Sequence, residues 1–220
     1  MMPEGEGTPP EDEVPKVEEA PAKEPATPRP QMPFPPLFDK YSFDGIEVHD
    51  PSLKGHIFLD PIYVPHSEGR LTNHPFSKSK MHLVERLAND LMKGGHMTGK
   101  KSRTLKAVRE ALDELAKRDP KSNPLQLLVN AIENAAPREM VTRLQFGGIS
   151  VPRAVDTSPS RRLSVAIRHI AMGALTASKK PKTNLPMALA NEIYLASKAD
   201  MTSFAIAKKE EIERIAQSAR

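Results

Sequence analysis

Two β-prone runs flank a Gly-Gly pair in a chain whose other patterned segments all have the period of a helix. The runs are residues 139–146 and 149–157, on either side of Gly147-Gly148. Such a pattern predicts a β-hairpin with a two-residue turn. Pro152 forbids a central-strand role for the second run, because proline has no N–H to donate and in a central strand every N–H faces a partner strand. A lone two-stranded ribbon is marginal in water. It must therefore lean on helices, or on something outside the chain.

The helices are legible as apolar stripes at spacings of three and four. From residue 77 the first stripe is Met81, Val84, Leu87, Ala88 and Leu91, stopped by Gly94-Gly95. Leu105, Val108, Leu112 and Leu115 make the second, ended by Asp119-Pro120. Asn123 and Pro124 supply an N-cap and a first-turn proline for the third, which carries Leu125, Leu128, Val129 and Ile132. Ser158-Pro159 repeats that signal before Leu163, Ala166, Ile167, Ile170, Ala171 and Ala174. Pro186 opens a fifth helix with Leu189, Ile193 and Ala196. A sixth spans 206–219, with Ile212, Ile215 and Ala219 expected inward. The expected fold is mainly α: a six-helix bundle over 77–220, with a β-ribbon at about 138–157 between the third and fourth helices.

The first 76 residues have a different character. Residues 1–36 hold 11 of the chain's 22 prolines, with eight acidic and three basic residues. Such a segment cannot bury enough apolar surface to offset the entropy of ordering, so a disordered acidic tail is expected. Its net charge of −5 argues against contact with RNA phosphates. Residues 37–76 carry short apolar runs broken by Pro51, Pro61, Pro65 and Pro75. They read as an extended N-terminal arm packed on the helical domain.

Several classes of function are disfavoured. Without cysteine there is no thiol nucleophile and no Cys-ligated metal site. The seven histidines lack metal-ligand spacing, and no pair of carboxylates poses as acid and base. No apolar run approaches the ~18 residues of a membrane span, and the start Met-Met-Pro-Glu-Gly-Glu has no apolar signal region, so the cytoplasm is expected. The nearest enzyme motif is Gly94–Lys101, which approximates the phosphate loop G-x-x-x-x-G-K-[ST]. Lys101 replaces the hydroxyl that would hold Mg²⁺, and the segment follows a helix where that loop follows a strand. No enzyme activity, cofactor, metal or small-molecule substrate is expected.

Positive charge is the informative signal. The whole chain carries +4, so the tail's −5 leaves +9 on the remainder. The candidate anion-binding residues are Lys78, Lys80, Lys100, Lys101 and Arg103; the ribbon's Arg138, Arg143 and Arg153; Arg161 and Arg162; Lys179, Lys180 and Lys182; and Lys208 and Lys209. A charge run is usually a solvated helix face. Arg161-Arg162 is harder to dismiss, because it follows a helix N-terminus that already carries partial positive charge. An anion nearby would relieve that, and a phosphate fits. The chain thus reads as a non-enzymatic nucleic-acid binder. A helical DNA-binding regulator is the alternative, although a ribbon has no place in a helix-turn-helix.

The same residues carry a resemblance. Asn123–Asn134, Pro137-Arg138-Glu139, Ala154–Arg162 and Ala207–Ala216, in that order and spacing, resemble the small-subunit ribosomal protein seven family. Pro65-His66-Ser67, followed by Gly69-Arg70, is similar to the arm of its archaeal and eukaryotic branch. The resemblance covers about residues 40–220. It implies a structural protein of the cytoplasmic ribosome that binds the 3′ major domain of small-subunit rRNA and nucleates head assembly. It implies neighbouring small-subunit proteins as partners, with exit-site tRNA and mRNA close to the ribbon tip, here Gln145, Phe146, Gly147, Gly148 and Ile149. That tip is less basic than in many relatives.

Overall fold

A computed structural model describes residues 36–220 except 44, 63, 64, 121 and 182, without the side chains of 72 and 146. The expected tail, apart from Pro36, and Lys182 of the linker cluster lie outside the described residues. Seven α-helices and one antiparallel hairpin follow in order: α1 (Pro51–Lys54), α2 (Leu83–Leu91), α3 (Lys101–Arg118), α4 (Pro124–Ala135), β1 (Glu139–Phe146), β2 (Ile149–Asp156), α5 (Pro159–Ala177), α6 (Leu185–Ser197) and α7 (Phe204–Ser218).

The six long helices and the ribbon match the expected architecture, with the ribbon between α4 and α5. The additional helix is α1. Asp50 caps it by accepting the Ser52 N–H, Pro51 fills its first position, and Gly55 follows it. At four residues it is too short to display a helical period. The first long helix also begins later than residue 77. Residues 77–80 form a 3₁₀ turn, Met81 is extended, and the Nδ1 of His82 caps α2 by accepting the Val84 N–H.

α4 occupies the centre. Leu125, Leu127, Leu128, Val129, Ala131, Ile132 and Ala135 are all buried, and they lie around most of its circumference. A helix apolar on nearly every side belongs inside a bundle. α3, α5, α6 and α7 surround it. α6 contributes Ala188, Ala190 and Ala196 beside Leu189 and Ile193, so its backbone approaches its neighbours closely. In α7 the buried residues are Ala205, Ile206 and Ala216, whereas Ile215 is exposed and Ile212 half-buried. The expected inward face of α7 is corrected accordingly: its C-terminal half backs onto the ribbon instead of the bundle.

Leu37 and Leu53 of the arm are completely buried in the common core. Polar contacts hold the chain between them. The Tyr41 hydroxyl donates to Asp113 at 2.6 Å, and Lys40 pairs with the same carboxylate at 3.0 Å. Asn123 donates to the Ser42 carbonyl, and Gln126 exchanges two bonds with the Glu47 backbone. The His49 and Asp50 amides both donate to Glu133. The arm therefore crosses α3 and α4 and reaches α5.

In the ribbon, Gly147 and Gly148 have φ of +54° and +89°. Two consecutive left-handed residues match the turn whose twist suits a hairpin, and glycine adopts them without a Cβ penalty. The register pairs Glu139 with Asp156 and Phe146 with Ile149. Pro152 stands opposite Arg143. Each strand of a two-stranded ribbon has one outward edge, where a missing N–H costs no ladder bond. The base is tied to α7: the Ala154 amide donates to the Ala219 carbonyl, the Arg138 amide to Glu213, and Arg220 pairs with Glu139.

Candidate nucleic-acid interface

The expected cations divide into an internal and an external set. Arg162 is internal, only 8% exposed. Its Nε donates to the Pro137 carbonyl at 3.2 Å, one Nη to Asp50 at 2.8 Å, and the other to the Ser52 hydroxyl. The anion expected beside the start of α5 is thus a carboxylate of the chain itself. Burial would raise the Asp50 carboxyl, but hydrogen bonds from Ser52 and Arg162 outweigh that and hold it below the usual range. Lys101 is also engaged, in an ion pair with the buried Glu85. Burial again acts to raise the carboxyl of Glu85, and the bonds from Lys101 and from the Ser67 amide and hydroxyl together lower it. Both cations are therefore engaged by carboxylates of the chain itself.

Arg161 shows how one helical step changes a role. The next residue along α5 is buried, whereas Arg161 is exposed and has no carboxylate partner among the described residues. The same holds for Lys80, Lys100, Arg103, Arg143, Arg153, Lys179 and Lys180. Lys78 is exposed and donates to the Ser164 hydroxyl near the start of α5, at 3.3 Å. Lys208 pairs with Glu211 at 2.6 Å in a half-exposed i, i+3 bridge, worth little in water.

The two ribbon arginines lie on opposite faces. Thr142 is opposite Arg153 and Arg143 is opposite Pro152 in the register. Successive residues of a strand point to opposite sides. Arg143 therefore shares a face with Val141, Gln145, Ser150 and Ala154. Arg153 shares the other with Met140, Thr142, Leu144, Val151 and Val155. Val151, Val155 and Ile149 are exposed on that second face, Ile149 to 69%. At the tip, Gln145, Gly147 and Gly148 are exposed as well.

Arg138 and Lys209 come together where the ribbon meets the arm. They line an open groove of about 570 Å³ with Asp156 and Thr157. The groove also carries Asp50 and Glu133, whose carboxylates are already occupied by Arg162, Ser52 and backbone amides. The Thr157 hydroxyl is buried there with no hydrogen-bond partner among the described residues. Sequence reasoning did not single out Thr157, Asp50 or Glu133. Only Asp50 left a trace, as an N-cap residue before Pro51.

The approximate phosphate loop takes a different form from a nucleotide site. Residues 95–97 form a 3₁₀ turn after α2, and the final Lys101 is committed to Glu85. Among the described residues no cluster of acidic or histidine side chains could hold a metal ion, and no helix is long and apolar enough to cross a membrane.

A helical body, a ribbon with an exposed arginine on each face, and surface cations that have no carboxylate partner among the described residues are the features of a protein that presents an ionic surface. Comparison with known proteins agrees with that class. The sequence profile of the family described as ribosomal protein S7p/S5e matches residues 60–220. The small ribosomal subunit protein uS7 of Archaeoglobus fulgidus is 50% identical over 184 residues, covering 84% of this chain and 94% of that protein. Its counterpart in Thermoplasma volcanium is 52% identical over 184 residues, covering 84% of this chain and all of that protein. That of Methanococcus maripaludis is 52% identical over 185 residues, covering 84% and 98%. The chain belongs to this family of small-subunit ribosomal proteins, in its archaeal-type branch, and is a structural constituent rather than an enzyme.

Proposed function

We propose that this protein binds the 3′ major domain of small-subunit rRNA as a primary binder and nucleates assembly of the subunit head. The observation that carries the reading is the ribbon, with a guanidinium on each face that has no ion pair among the described residues. A ribbon lying flat on an anionic surface needs cations on one side only. Arg143 on one face and Arg153 on the other suit insertion between two RNA segments. Arg161 and the Arg138–Lys209 groove at the ribbon base extend the contact to the body, with Lys80, Lys100, Arg103, Lys179 and Lys180 as outlying phosphate ligands.

Recognition of this kind works through charge and shape. Each phosphate neutralised releases counterions, so affinity falls steeply as salt rises. The deep, narrow groove of an RNA helix hides its base edges from side chains, so folded RNA is read through its backbone and unpaired bases. The ribbon tip, Gln145 to Ile149, faces exit-site tRNA and mRNA in this reading. Neighbouring small-subunit proteins cover part of the remaining surface, where Met172, Met187 and Met201 are exposed.

The test is a salt series of binding to the 3′ major domain, with the 5′ domain and duplex DNA as competitors. Competition by the 3′ domain alone, with a steep salt slope, supports the proposal. Equal competition by duplex DNA would favour a DNA-binding protein and defeat it.

A further inference from the structure

Phe76 is the most exposed large apolar side chain among the described residues, at 81%. Its backbone is left-handed, with φ 61° and ψ −4°. A bulky residue there is uncommon and costs conformational energy, and such positions cluster at functional sites. Two serines that follow Phe76 lock the turn. The Ser77 hydroxyl donates to the His74 carbonyl at 2.5 Å. The amide and hydroxyl of Ser79 both donate to the Phe76 carbonyl, at 3.1 and 2.8 Å. The local hydrogen bonding thus holds an aromatic ring out in water.

The surroundings are cationic. Lys78 and Lys80 follow within four residues, and both are exposed. The bond from Lys78 to Ser164 seats the turn against the first turns of α5, which carry the exposed Arg161. An apolar pocket on a protein partner would have to desolvate these charges to reach the ring. A nucleic acid meets both needs at once, with phosphates for the cations and a flat base for the ring.

Resting on the rRNA-binding reading, we infer that Phe76 is a stacking residue for an unpaired rRNA base, with Lys78, Lys80 and Arg161 holding the flanking phosphates. Base–aromatic stacking tolerates any base. The contact therefore selects a single-stranded or bulged nucleotide over a paired one, a discrimination the surface cations lack.

The experiment compares the full chain with Phe76→Ala, Phe76→Leu and Phe76→Tyr in binding to the 3′ major domain, with thermal melting of each variant as a folding control. Phe76→Ala and Phe76→Leu are expected to weaken binding about 5- to 100-fold, and Phe76→Tyr to stay within about twofold. The salt slope stays that of the unmodified chain, since no cation is lost. A single-stranded oligonucleotide containing 2-aminopurine should be quenched by the unmodified chain and by Phe76→Tyr only. Equal affinity of Phe76→Ala overturns the inference. Full retention by Phe76→Leu also overturns it, because the ring would then be a mere apolar contact. Failure of the unmodified chain to bind the 3′ domain would instead bring down the rRNA reading itself, and this inference with it.

Discussion

The guanidinium of Arg162 donates to the carboxylate of Asp50 at 2.8 Å across 112 residues of sequence. This contact fastens the arm to the start of α5. Its third donor, Nε, reaches the Pro137 carbonyl just before the ribbon. One side chain therefore binds three parts of the chain whose relative placement sets the cationic surface. The geometry also explains why two arginines in sequence at a helix start are tolerated: one is neutralised inside, and the other faces out.

Breaking this contact should destabilise the fold more than it weakens ionic attraction to RNA. Removing one partner of a buried pair leaves the other uncompensated, and since Asp50 keeps some solvent access, Arg162→Ala should cost about 2–4 kcal/mol. The check is urea unfolding of both forms. Proteolytic cleavage in residues 49–54 should become faster in the variant. The double variant Asp50→Asn, Arg162→Gln should lose less than the sum of its parts, as expected for residues in direct contact.

Acid should weaken the fold through His82. Burial is the main cause that pushes its imidazole down to about 4, against a weaker upward pull from Glu85. Its Nδ1 accepts the Val84 N–H, its Nε2 is buried without a partner among the described residues, and the Phe43 ring stands edge-on at 5.6 Å. Between pH 6.5 and 4 the unfolded chain takes up a proton that the folded chain refuses. Stability is therefore full above pH 6.5 and falls as the pH drops toward 4, by about 3 kcal/mol at most for a shift of this size. His169, also pushed down mainly by burial, adds in the same direction. His82→Asn keeps an N-cap acceptor and removes the titration. The difference between its pH–stability curve and that of the unmodified chain should be confined to this window.

What the sequence disclosed follows from what repeats. A stripe such as Leu125, Leu128 and Ile132 recurs often enough to declare a helix, and Gly147-Gly148 declares its turn through chirality alone. α1 has one turn and no repeat. Leu37 directly follows two prolines and Leu53 stands two residues after Pro51, and nothing local distinguishes them from surface residues. Arg161 and Arg162 are identical neighbours; helical phase sets Arg162 in line with Ala166 and Ile170, but the carboxylate that neutralises it, Asp50, is 112 residues away in sequence. Lys101 was likewise drawn inside by Glu85. Phe76 looked ordinary because exposure and a left-handed backbone leave no mark in composition.

The ribbon arginines should affect RNA binding without affecting folding. Arg143 and Arg153 are exposed and carry no ion pair among the described residues, so their alanine variants should melt like the unmodified chain. If each contacts one phosphate, each substitution should lower the magnitude of the salt slope by about one, and the pair by about two. Opposite placement on the ribbon predicts that the two losses add, since the contacts share no phosphate. Titrations at several salt concentrations check this, and a change in intercept without a change in slope would contradict it.

The support behind the ribbon depends on a close contact between α5 and α6. Gly173 of α5 faces Glu192 of α6, and a Cβ there would lie 2.8 Å from the Glu192 carboxyl carbon and 3.0 Å from the Phe204 Cβ. That carboxylate is buried and caps α7, accepting the Ser203 hydroxyl at 2.7 Å and the Ala205 amide at 2.9 Å. Gly173→Ala should push it from the cap and cost about 1–3 kcal/mol, as overpacking of a tight interior does. Glu192→Gln retains an acceptor and should cost about 1 kcal/mol or less, whereas Glu192→Ala orphans both donors and should cost more. Because α7 holds the ribbon base through Glu213 and Arg138, the Gly173→Ala loss should extend to the ribbon. Hydrogen exchange should speed up at Ala205 and at the Ala154 amide together. Acceleration at Ala205 alone would mean that the ribbon does not depend on the seating of α7.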